Sequence, residues 1–241
     1  MTPPLFLLEA LPPGDVIVLD GAEGRHARVK RIAVGEAVLI GDGRGTVASC
    51  VVDAVAADAL TLRVADRRTV PEPDPRIVVV QALPKGERAE LAVELLTEVG
   101  VDEIVPWAAS RSIVQWTGER GVRALAKWRR TAAEAAKQSR RAWTPRVTDP
   151  AELADLANLA ARADTMLVLH ETATQPLSAV PLPDAGDVVL VVGPEGGVSD
   201  EELAALTAAG ACAVRLGDPV LRTSTAGAVA VAAVSVRLRR W

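Results

Sequence analysis

Residues 188–197 have the sequence VVLVVGPEGG, in which five apolar residues run directly into a loop of glycine and proline. Four of the five are β-branched, and an unbroken apolar run of this length is typical of a strand buried on both faces of a parallel sheet. Ser199 follows as a candidate N-cap, with Glu202 three residues later, which predicts a capping box and a helix. Together these features predict a ligand-binding crevice at the carboxyl end of the strand.

The glycine loop matches neither of the common phosphate-binding patterns. It is not a G-x-G-x-x-G sequence that opens the helix directly, and it has no Lys-Ser/Thr pair of a P-loop. Its glycines permit positive φ and the close approach of a ligand to the backbone. A tight strand-to-helix turn that binds no ligand is the alternative interpretation of the loop alone.

Composition limits the class of protein. The chain has 241 residues, 49% of them apolar, and a net charge of −4, which argues against a uniformly basic nucleic-acid binder but not against a local basic patch. Its 23 Arg against 4 Lys suit phosphate contacts and stacking on bases, although GC-rich coding explains the same bias. Cys50 and Cys212 stand outside any C-x-x-C motif, which favours small buried thiols. With no secretory leader and no apolar run of roughly 18 residues, we expect a cytoplasmic protein without a membrane partner.

The first 70 residues and the rest of the chain differ in pattern. Short β-rich segments separated by Gly and Pro turns occupy residues 5–70, which predicts a small barrel or sandwich. Three alternate prolines at 71–75 then predict an extended linker. We therefore expect one domain at 1–70 and another at 71–241.

Beyond the linker, apolar strands alternate with helical patterns, which predicts an α/β domain with a mostly parallel sheet and helices on both faces. The predicted strands are 77–82, 104–107, 165–170, 188–192 and 213–216, and the predicted helices are 85–100, 121–141, 152–163, 200–209 and 226–238. Helix 121–141 is unusually basic, with Trp128 and Trp143 nearby as candidates for the core, an interface or base stacking. The last helix is apolar all round, which predicts burial, at a chain end against a partner subunit.

Three loops follow three of these strands, at 170–172, 193–197 and 216–225, and they converge on one crevice if the strands are neighbours. Their ionisable groups are His170, Glu171, Glu195, Asp218 and Arg222. They contain neither a Ser-His-Asp arrangement nor a cluster of metal ligands, which argues against hydrolysis by a triad or by zinc. The glycine-rich walls suit a flat group that is held by backbone hydrogen bonds.

Two of the loops carry motifs in a specific order. Gly193-Pro194-Glu195-Gly196-Gly197, followed by Leu216-Gly217-x-x-Val220-Leu221-Arg222-Thr223-x-Thr225-Ala226, resembles the RsmE family of the knotted SPOUT methyltransferase superfamily. Residues 82–86, 97–101, 111–112 and 134–141 resemble further motifs of that family, and His26-x-x-Val29-Lys30-Arg31 resembles its PUA-like RNA-binding barrel. The resemblance spans nearly the whole chain. Ser224 departs from it, because the family often has Glu there, and so do Leu95, Arg140 and the absence of an early Arg.

The resemblance implies a fold and a reaction. The fold is an α/β SPOUT-type parallel sheet with a C-terminal trefoil knot at 71–241, plus a small N-terminal PUA-like β-barrel at 1–70. The reaction is S-adenosylmethionine-dependent methylation of N3 of a uridine in small-subunit (16S) ribosomal RNA. The implied partners are that RNA or the assembled small subunit and a second copy of the chain, with no metal.

The resemblance also implies site residues. Arg222 is the candidate for stabilising charge on the uridine carbonyl oxygens, and Glu195 is a second catalytic candidate that otherwise binds the cofactor or fixes its loop. The implied cofactor-binding residues are Leu169, Glu171, Val192, Gly193, Glu195, Gly196, Gly197, Leu216, Gly217, Val220, Leu221, Thr223 and Ala226. The implied RNA-binding residues are His26, Arg28, Lys30, Arg31, Lys85, Arg111, Arg129, Arg130, Gln138, Arg140 and Arg141.

Two alternatives stay open at this point. Ser224 and the missing early Arg are compatible with an RNA-binding protein whose SPOUT fold is degenerate and non-catalytic. The glycine loop alone is compatible with a nucleotide-binding α/β enzyme unrelated to methylation. Cofactor titration separates the three, because only a methyltransferase is expected to bind S-adenosylmethionine.

Overall fold

A computed structural model describes residues 2–241. The chain forms two compact units. One contains residues 2–72 and 136–144, and the other contains residues 73–135 and 145–241.

The first unit is a small β structure. It contains β1 (Leu5–Leu7), β2 (Val16–Leu19), α1 (Gly21–Val29), β3 (Ala37–Gly41), β4 (Thr46–Val55) and β5 (Leu60–Thr69). The five strands form one sheet in the order β1-β3-β4-β5-β2, in which only the β1–β3 pair is parallel. Alternate apolar side chains of these strands, together with Phe6 from β1, fill its core. The predicted small β domain is confirmed.

The segment 136–144 joins this unit through the turn between β3 and β4. Gly45 donates its N–H to the Ala142 carbonyl at 3.0 Å, and the indole N–H of Trp143 donates to the Val70 carbonyl at 3.0 Å. A Cβ on Gly45 would lie 2.7 Å from the Trp143 ring, and its φ is +99°. Glycine is therefore required at position 45, and the Trp143 ring is a packing group.

A carboxylate stabilises the same turn. Asp42 accepts the N–H groups of Arg44 at 2.7 Å and of Thr46 at 3.0 Å. Burial acts to raise the pKa of Asp42, but these backbone donors outweigh it and hold the pKa below its ordinary value. The sharp turn thus has its own local hydrogen bonds, as Asx turns do.

The second unit is a three-layer α/β structure. In chain order it contains β6 (Arg76–Ala82), α2 (Arg88–Glu98), β7 (Glu103–Trp107), α3 (Gly118–Gln138, whose last turn groups with the first unit), β8 (Arg146–Val147), α4 (Leu153–Arg162), β9 (Thr165–Leu169), β10 (Asp187–Val192), α5 (Asp200–Ala208), β11 (Cys212–Val214) and α6 (Thr223–Arg237). The six strands are all parallel, in the order β11-β9-β10-β6-β7-β8. The predicted parallel sheet is confirmed.

Both faces of this sheet are covered. Along β10, Val188, Leu190 and Val192 pack in one core with side chains of α2, α3 and α6. Val189 and Val191 point to the other core, with side chains of α4 and α5. This alternation explains the unbroken apolar run at 188–192, since a strand buried on both faces needs apolar residues at every position.

Three helix boundaries differ from the prediction. Helix α2 begins at Arg88 and not at Lys85, because Gly86 adopts a φ of +66° that ends the preceding turn. Helix α6 begins at Thr223, three residues earlier than predicted, with Arg222 as its N-cap. Helix α3 runs over 118–138 and not 121–141, and Arg140 beyond it has a φ of +56°.

Several buried side chains have structural roles. Trp128 is 1% exposed and meets Trp116 edge to face, with 4.9 Å between ring centroids, so its core interpretation is confirmed. Cys50 is buried and unpaired, and burial raises the pKa of its thiol despite the nearby Arg67. Across residues 2–241, no helix combines the length and apolar character needed to cross a membrane.

Candidate functional site

The three predicted loops meet at one edge of the parallel sheet. Strands β11, β9 and β10 are consecutive neighbours, so their carboxyl ends lie side by side, and the predicted convergence is confirmed. The loops enclose a cavity of about 450 Å³. Its walls come from the ends of β9 and β10 with the loops after them, the chain from β11 into the first turn of α6, and the start of α2.

Glycines shape the walls of this cavity. A Cβ on Gly193 would approach the Val198 side chain to 2.8 Å, so the loop can close tightly only around glycine. At Gly217 the nearest atom to an added Cβ is Cδ of Pro219 at 3.8 Å, which is ordinary contact. Protein packing therefore requires glycine at 193 but not at 217, where the open space faces the cavity.

A buried carboxylate anchors the glycine loop. Ser199 and Glu202 form the predicted capping box of α5: the Glu202 N–H donates to Oγ of Ser199 at 3.2 Å, and the Ser199 N–H donates to Oε2 of Glu202 at 2.9 Å. The other oxygen of Glu202, Oε1, accepts the Ser110 N–H at 2.7 Å, and the side chain is only 4% exposed. Glu202 thus ties the loop after β7 to the loop after β10.

Two further hydrogen bonds hold the glycine loop from the β6–β7 side. Glu195 accepts the backbone N–H of Lys85 at 3.3 Å through Oε1, and Nη1 of Arg111 donates to the Gly196 carbonyl at 3.3 Å. The loop-fixing interpretation of Glu195 therefore has a structural basis. Its role as a catalytic group stays a prediction.

The cavity carries three guanidinium groups and two carboxylates. Arg88, Arg215 and Arg222 line it together with Glu171 and Glu195. Arg215 pairs with Asp218 at 3.4 Å. In the part of the chain that the structure describes, neither Arg88 nor Arg222 makes a side-chain hydrogen bond or an ion pair.

The backbone beside Arg222 is fixed from the sheet. Nε2 of Gln81, a fully buried side chain at the end of β6, donates to the Thr223 carbonyl at 3.3 Å. Arg222 is the N-cap residue of α6, and its side chain makes no capping hydrogen bond. An unpaired cation thus lies at the start of a helix beside the cavity, an arrangement that suits the stabilisation of developing negative charge.

The structure brings together every residue predicted for the cofactor and for catalysis. All thirteen cofactor candidates and both catalytic candidates line the same cavity. Seven lining residues were in neither predicted set: Arg88, His170, Pro194, Val198, Arg215, Pro219 and Ser224. Arg215, Pro219 and Ser224 lie within or beside the second motif, whereas Arg88 comes from another segment that carried no local signal.

The RNA candidates of the second unit differ in their contacts. Lys85 and Arg130 are exposed, and Arg111 reaches the glycine loop. Arg129 instead donates to the Val147 carbonyl at 3.1 Å and pairs with Asp149 at 2.9 Å. Arg129 is therefore occupied within the protein, and Arg130 is the freer of the two.

The RNA candidates of the first unit also differ, since some are exposed and others make contacts within the protein. Arg28, Lys30, Arg31 and Gln138 are exposed and Arg141 is half-buried. His26 packs edge to face on Phe6, with 5.7 Å between ring centroids, which is a structural contact. Arg140 donates to the carbonyl groups of Pro3 at 2.9 Å and Thr2 at 3.4 Å, and so holds the start of the chain.

The chemistry of the cavity is that of a binding and positioning site. Its walls offer backbone groups, apolar side chains and five charged side chains. Residues 2–241 include no group of three or more His, Cys, Asp or Glu side chains able to hold a metal ion. A medium-sized organic ligand matches the volume, which lies within the usual range of small-molecule sites.

Comparison with known proteins gives consistent results. A family model described as "RNA methyltransferase domain" matches residues 71–235, and one described as "RNA methyltransferase PUA domain" matches residues 19–65. The "Ribosomal RNA small subunit methyltransferase E" of Mycobacterium bovis is 48% identical, over 98% of this chain and 93% of that protein. The protein of the same name from Bacillus subtilis is 29% identical, over 90% of this chain and 88% of its own length.

A solved structure resembles the whole chain. It is the crystal structure of a ribosomal RNA small subunit methyltransferase E from Neisseria gonorrhoeae bound to S-adenosyl methionine. The TM-score is 0.86 at 27% sequence identity, with 98% of each chain covered.

Proposed function

We propose, from the premise that this chain belongs to the ribosomal RNA small subunit methyltransferase E family of RNA methyltransferases, that it methylates N3 of a uridine in small-subunit ribosomal RNA with S-adenosylmethionine as donor. The observation that carries the proposal is the single cavity that unites the two family motifs, at 193–197 and 216–226. A relative that covers nearly the whole chain binds the same donor.

The residues present fit S-adenosylmethionine. Leu169, Val192, Leu216 and Leu221 offer apolar contacts around the cavity, and Gly217 leaves open space beside them. Glu171 and Glu195 supply negative charge for a ligand that carries an ammonium and a sulfonium group. When bound, S-adenosylmethionine supplies an activated methyl group with a good leaving group, so the task of the protein is largely to position the two reactants.

Arg222 meets the remaining chemical need. N3 of uridine carries a proton, and negative charge develops on the flanking carbonyl oxygens as that proton leaves. An unpaired guanidinium fixed at the start of α6 is a preorganised donor for that charge. Gln81 supports it through the Thr223 carbonyl.

The target base must be unpaired or extruded from a helix, since N3 lies on the Watson–Crick edge. We assign RNA binding to exposed cations in each unit: Arg28, Lys30 and Arg31 in the first, and Lys85, Arg111 and Arg130 in the second.

In this proposal residues 1–70 form the RNA-binding domain and residues 71–241 the transfer domain with the trefoil knot of its superfamily. We also propose that the reaction takes place in the cytoplasm.

We further propose that the protein is a homodimer. Val229 and Val236, two turns apart on one face of α6, are 41% and 60% exposed. Exposed apolar side chains in line on a helix suit a contact with a second copy. The start of the same helix lines the cavity, so this contact would lie near the cofactor.

The test is isothermal titration of S-adenosylmethionine into the purified protein, with NAD as the control ligand. Binding of S-adenosylmethionine alone supports the methyltransferase. No binding of either ligand, with or without small-subunit ribosomal RNA, would favour an RNA-binding protein without catalysis, and binding of NAD would indicate an unrelated nucleotide enzyme.

A further inference from the structure

A row of cations lies on the β6–β7 side of the cavity. Lys85 and Arg88 follow β6, and Arg111 follows β7. All three are exposed, and across residues 2–241 none of them is in an ion pair. Two hydrogen bonds hold the row to the cavity wall, from the Lys85 N–H to Glu195 and from the Arg111 guanidinium to the Gly196 carbonyl.

Arg88 is the member of this row that lines the cavity. It is the first residue of α2, where a positive charge opposes the helix dipole. The position is therefore unfavourable for the stability of the helix. An unpaired cation that does not stabilise its own helix is explained better by a ligand than by the fold.

The sheet order places Arg88 away from two of the three segments that would bind the cofactor. Leu169 ends β9 and Leu216 lies in the loop after β11, whereas Arg88 follows β6, on the opposite side of β10. Adjacent strands are about 4.8 Å apart, so the ends of β9 and β6 are separated by roughly 10 Å. Arg88 thus faces the part of the cavity that adjoins Lys85 and Arg111.

The charges indicate which anion Arg88 meets. S-adenosylmethionine carries one carboxylate and is a net cation, so it does not by itself call for two unpaired arginines. An RNA strand brings one negative charge with each nucleotide, and Arg forms bidentate contacts with phosphate.

We propose that Arg88 binds the phosphate of the nucleotide to be methylated and so continues the row of Lys85 and Arg111 into the cavity. This inference rests on the proposed function. It makes Arg88 a substrate-positioning residue, whose contact is with the RNA backbone and not with the cofactor.

The experiment compares Arg88→Gln with the wild-type protein. Small-subunit ribosomal RNA, free and in assembled small subunits, is titrated at several salt concentrations, S-adenosylmethionine is titrated separately, and methyl transfer is measured. Loss of one phosphate contact should weaken RNA binding about tenfold. The slope of log affinity against log salt should become shallower by about 0.7 to 0.9. Cofactor affinity should stay unchanged, and the melting temperature should stay unchanged or rise.

Arg162→Gln is the matched control. Arg162 is exposed, belongs to the same unit and lies in the last turn of α4, next to the amino end of β9 and therefore at the opposite edge of the sheet. This substitution removes the same charge and should leave RNA affinity, the salt slope, cofactor affinity and methyl transfer unchanged. Arg88→Lys keeps the charge but not the fork of donors, so its RNA affinity should lie between those of the wild type and Arg88→Gln.

Three results would overturn the inference. Unchanged RNA affinity and an unchanged salt slope in Arg88→Gln would show that Arg88 makes no phosphate contact. Weakened cofactor binding would place Arg88 on the methionine carboxylate instead. Failure of the wild-type protein to methylate either RNA substrate would overturn the proposed function, and this inference with it.

Discussion

Arg222 is the residue on which the proposed chemistry depends most. Arg222→Gln should lower the rate of methyl transfer about 100- to 1,000-fold, the usual effect of removing one donor from a developing oxyanion. S-adenosylmethionine affinity should stay near the wild-type value, because the proposed role concerns the uridine. Single-turnover transfer assays and isothermal titration measure the two quantities.

Arg215→Gln is the control for Arg222→Gln, since Arg215 lines the same cavity but already pairs with Asp218. Its transfer rate should change far less. Near-normal transfer by Arg222→Gln would show that Arg222 does not stabilise the reacting base.

Gly217 offers a test of where the ligand lies. An added Cβ would meet only Cδ of Pro219 at 3.8 Å, so Gly217→Ala should leave the free energy of unfolding within about 1 kcal/mol of wild type. If the cofactor occupies the open space, its affinity should fall about tenfold or more, a loss of about 1.4 kcal/mol. Titration and urea denaturation separate the two effects.

Gly193→Ala provides the contrast to Gly217→Ala. Its Cβ would lie 2.8 Å from the Val198 side chain, so we expect lost stability as well as lost binding. Unchanged cofactor affinity in Gly217→Ala would mean that the ligand does not approach this wall.

At the residue scale, the site residues that lie in contiguous sequence motifs could be predicted from the sequence. The cofactor candidates all came from three loops and the residues directly beside them, and the order of the strands brought those loops together. Arg88 was not predicted, because its link to the cavity depends on β6 lying beside β10 although more than a hundred residues separate the two strands. Arg129 was predicted as an RNA contact, whereas its pairing with Asp149 depends on tertiary packing.

At the scale of elements, the capping box of α5 both stabilises the fold and fixes the position of the glycine loop. Glu202→Ala removes one helix cap and leaves the Ser110 N–H without its acceptor. We expect a loss of about 2–4 kcal/mol in the free energy of unfolding, the sum of a lost helix cap and a lost hydrogen bond to a carboxylate. Urea denaturation measures it.

Glu201→Ala is the matched control for that prediction. Glu201 is exposed in the same helical turn, and its removal should cost less than about 1 kcal/mol. Equal losses in the two variants would mean that Glu202 does not anchor the loop after β7.

Element types were easier to predict than element ends. The apolar run at 188–192 identified a strand buried on both faces, and Ser199 with Glu202 identified the start of α5. The starts of α2 and α6 were misplaced, because the φ of Gly86 and the capping role of Arg222 are set by surrounding loops. The grouping of 136–144 with the first unit was also hidden, since it depends on the contact of Trp143 with Gly45.

At the scale of the whole molecule, the proposed dimer has a direct test. Val236→Glu places a charge among the exposed apolar side chains of α6 and should shift the protein from dimer to monomer in sedimentation velocity. Val122→Glu makes the same change at an exposed position of α3 and should leave the assembly unchanged. A monomeric wild-type protein, or a Val236→Glu variant that sediments like wild type, would contradict an interface on this face.

The most direct test of the account is the product of the reaction. The purified protein is incubated with S-adenosylmethionine and unmethylated small ribosomal subunits or their RNA, and the nucleosides are analysed by mass spectrometry after digestion. We predict one methylated uridine, modified at N3, that is absent when the donor is omitted and strongly reduced with Arg222→Gln. Methylation of another base or another atom, or no methylation of either substrate, would contradict it.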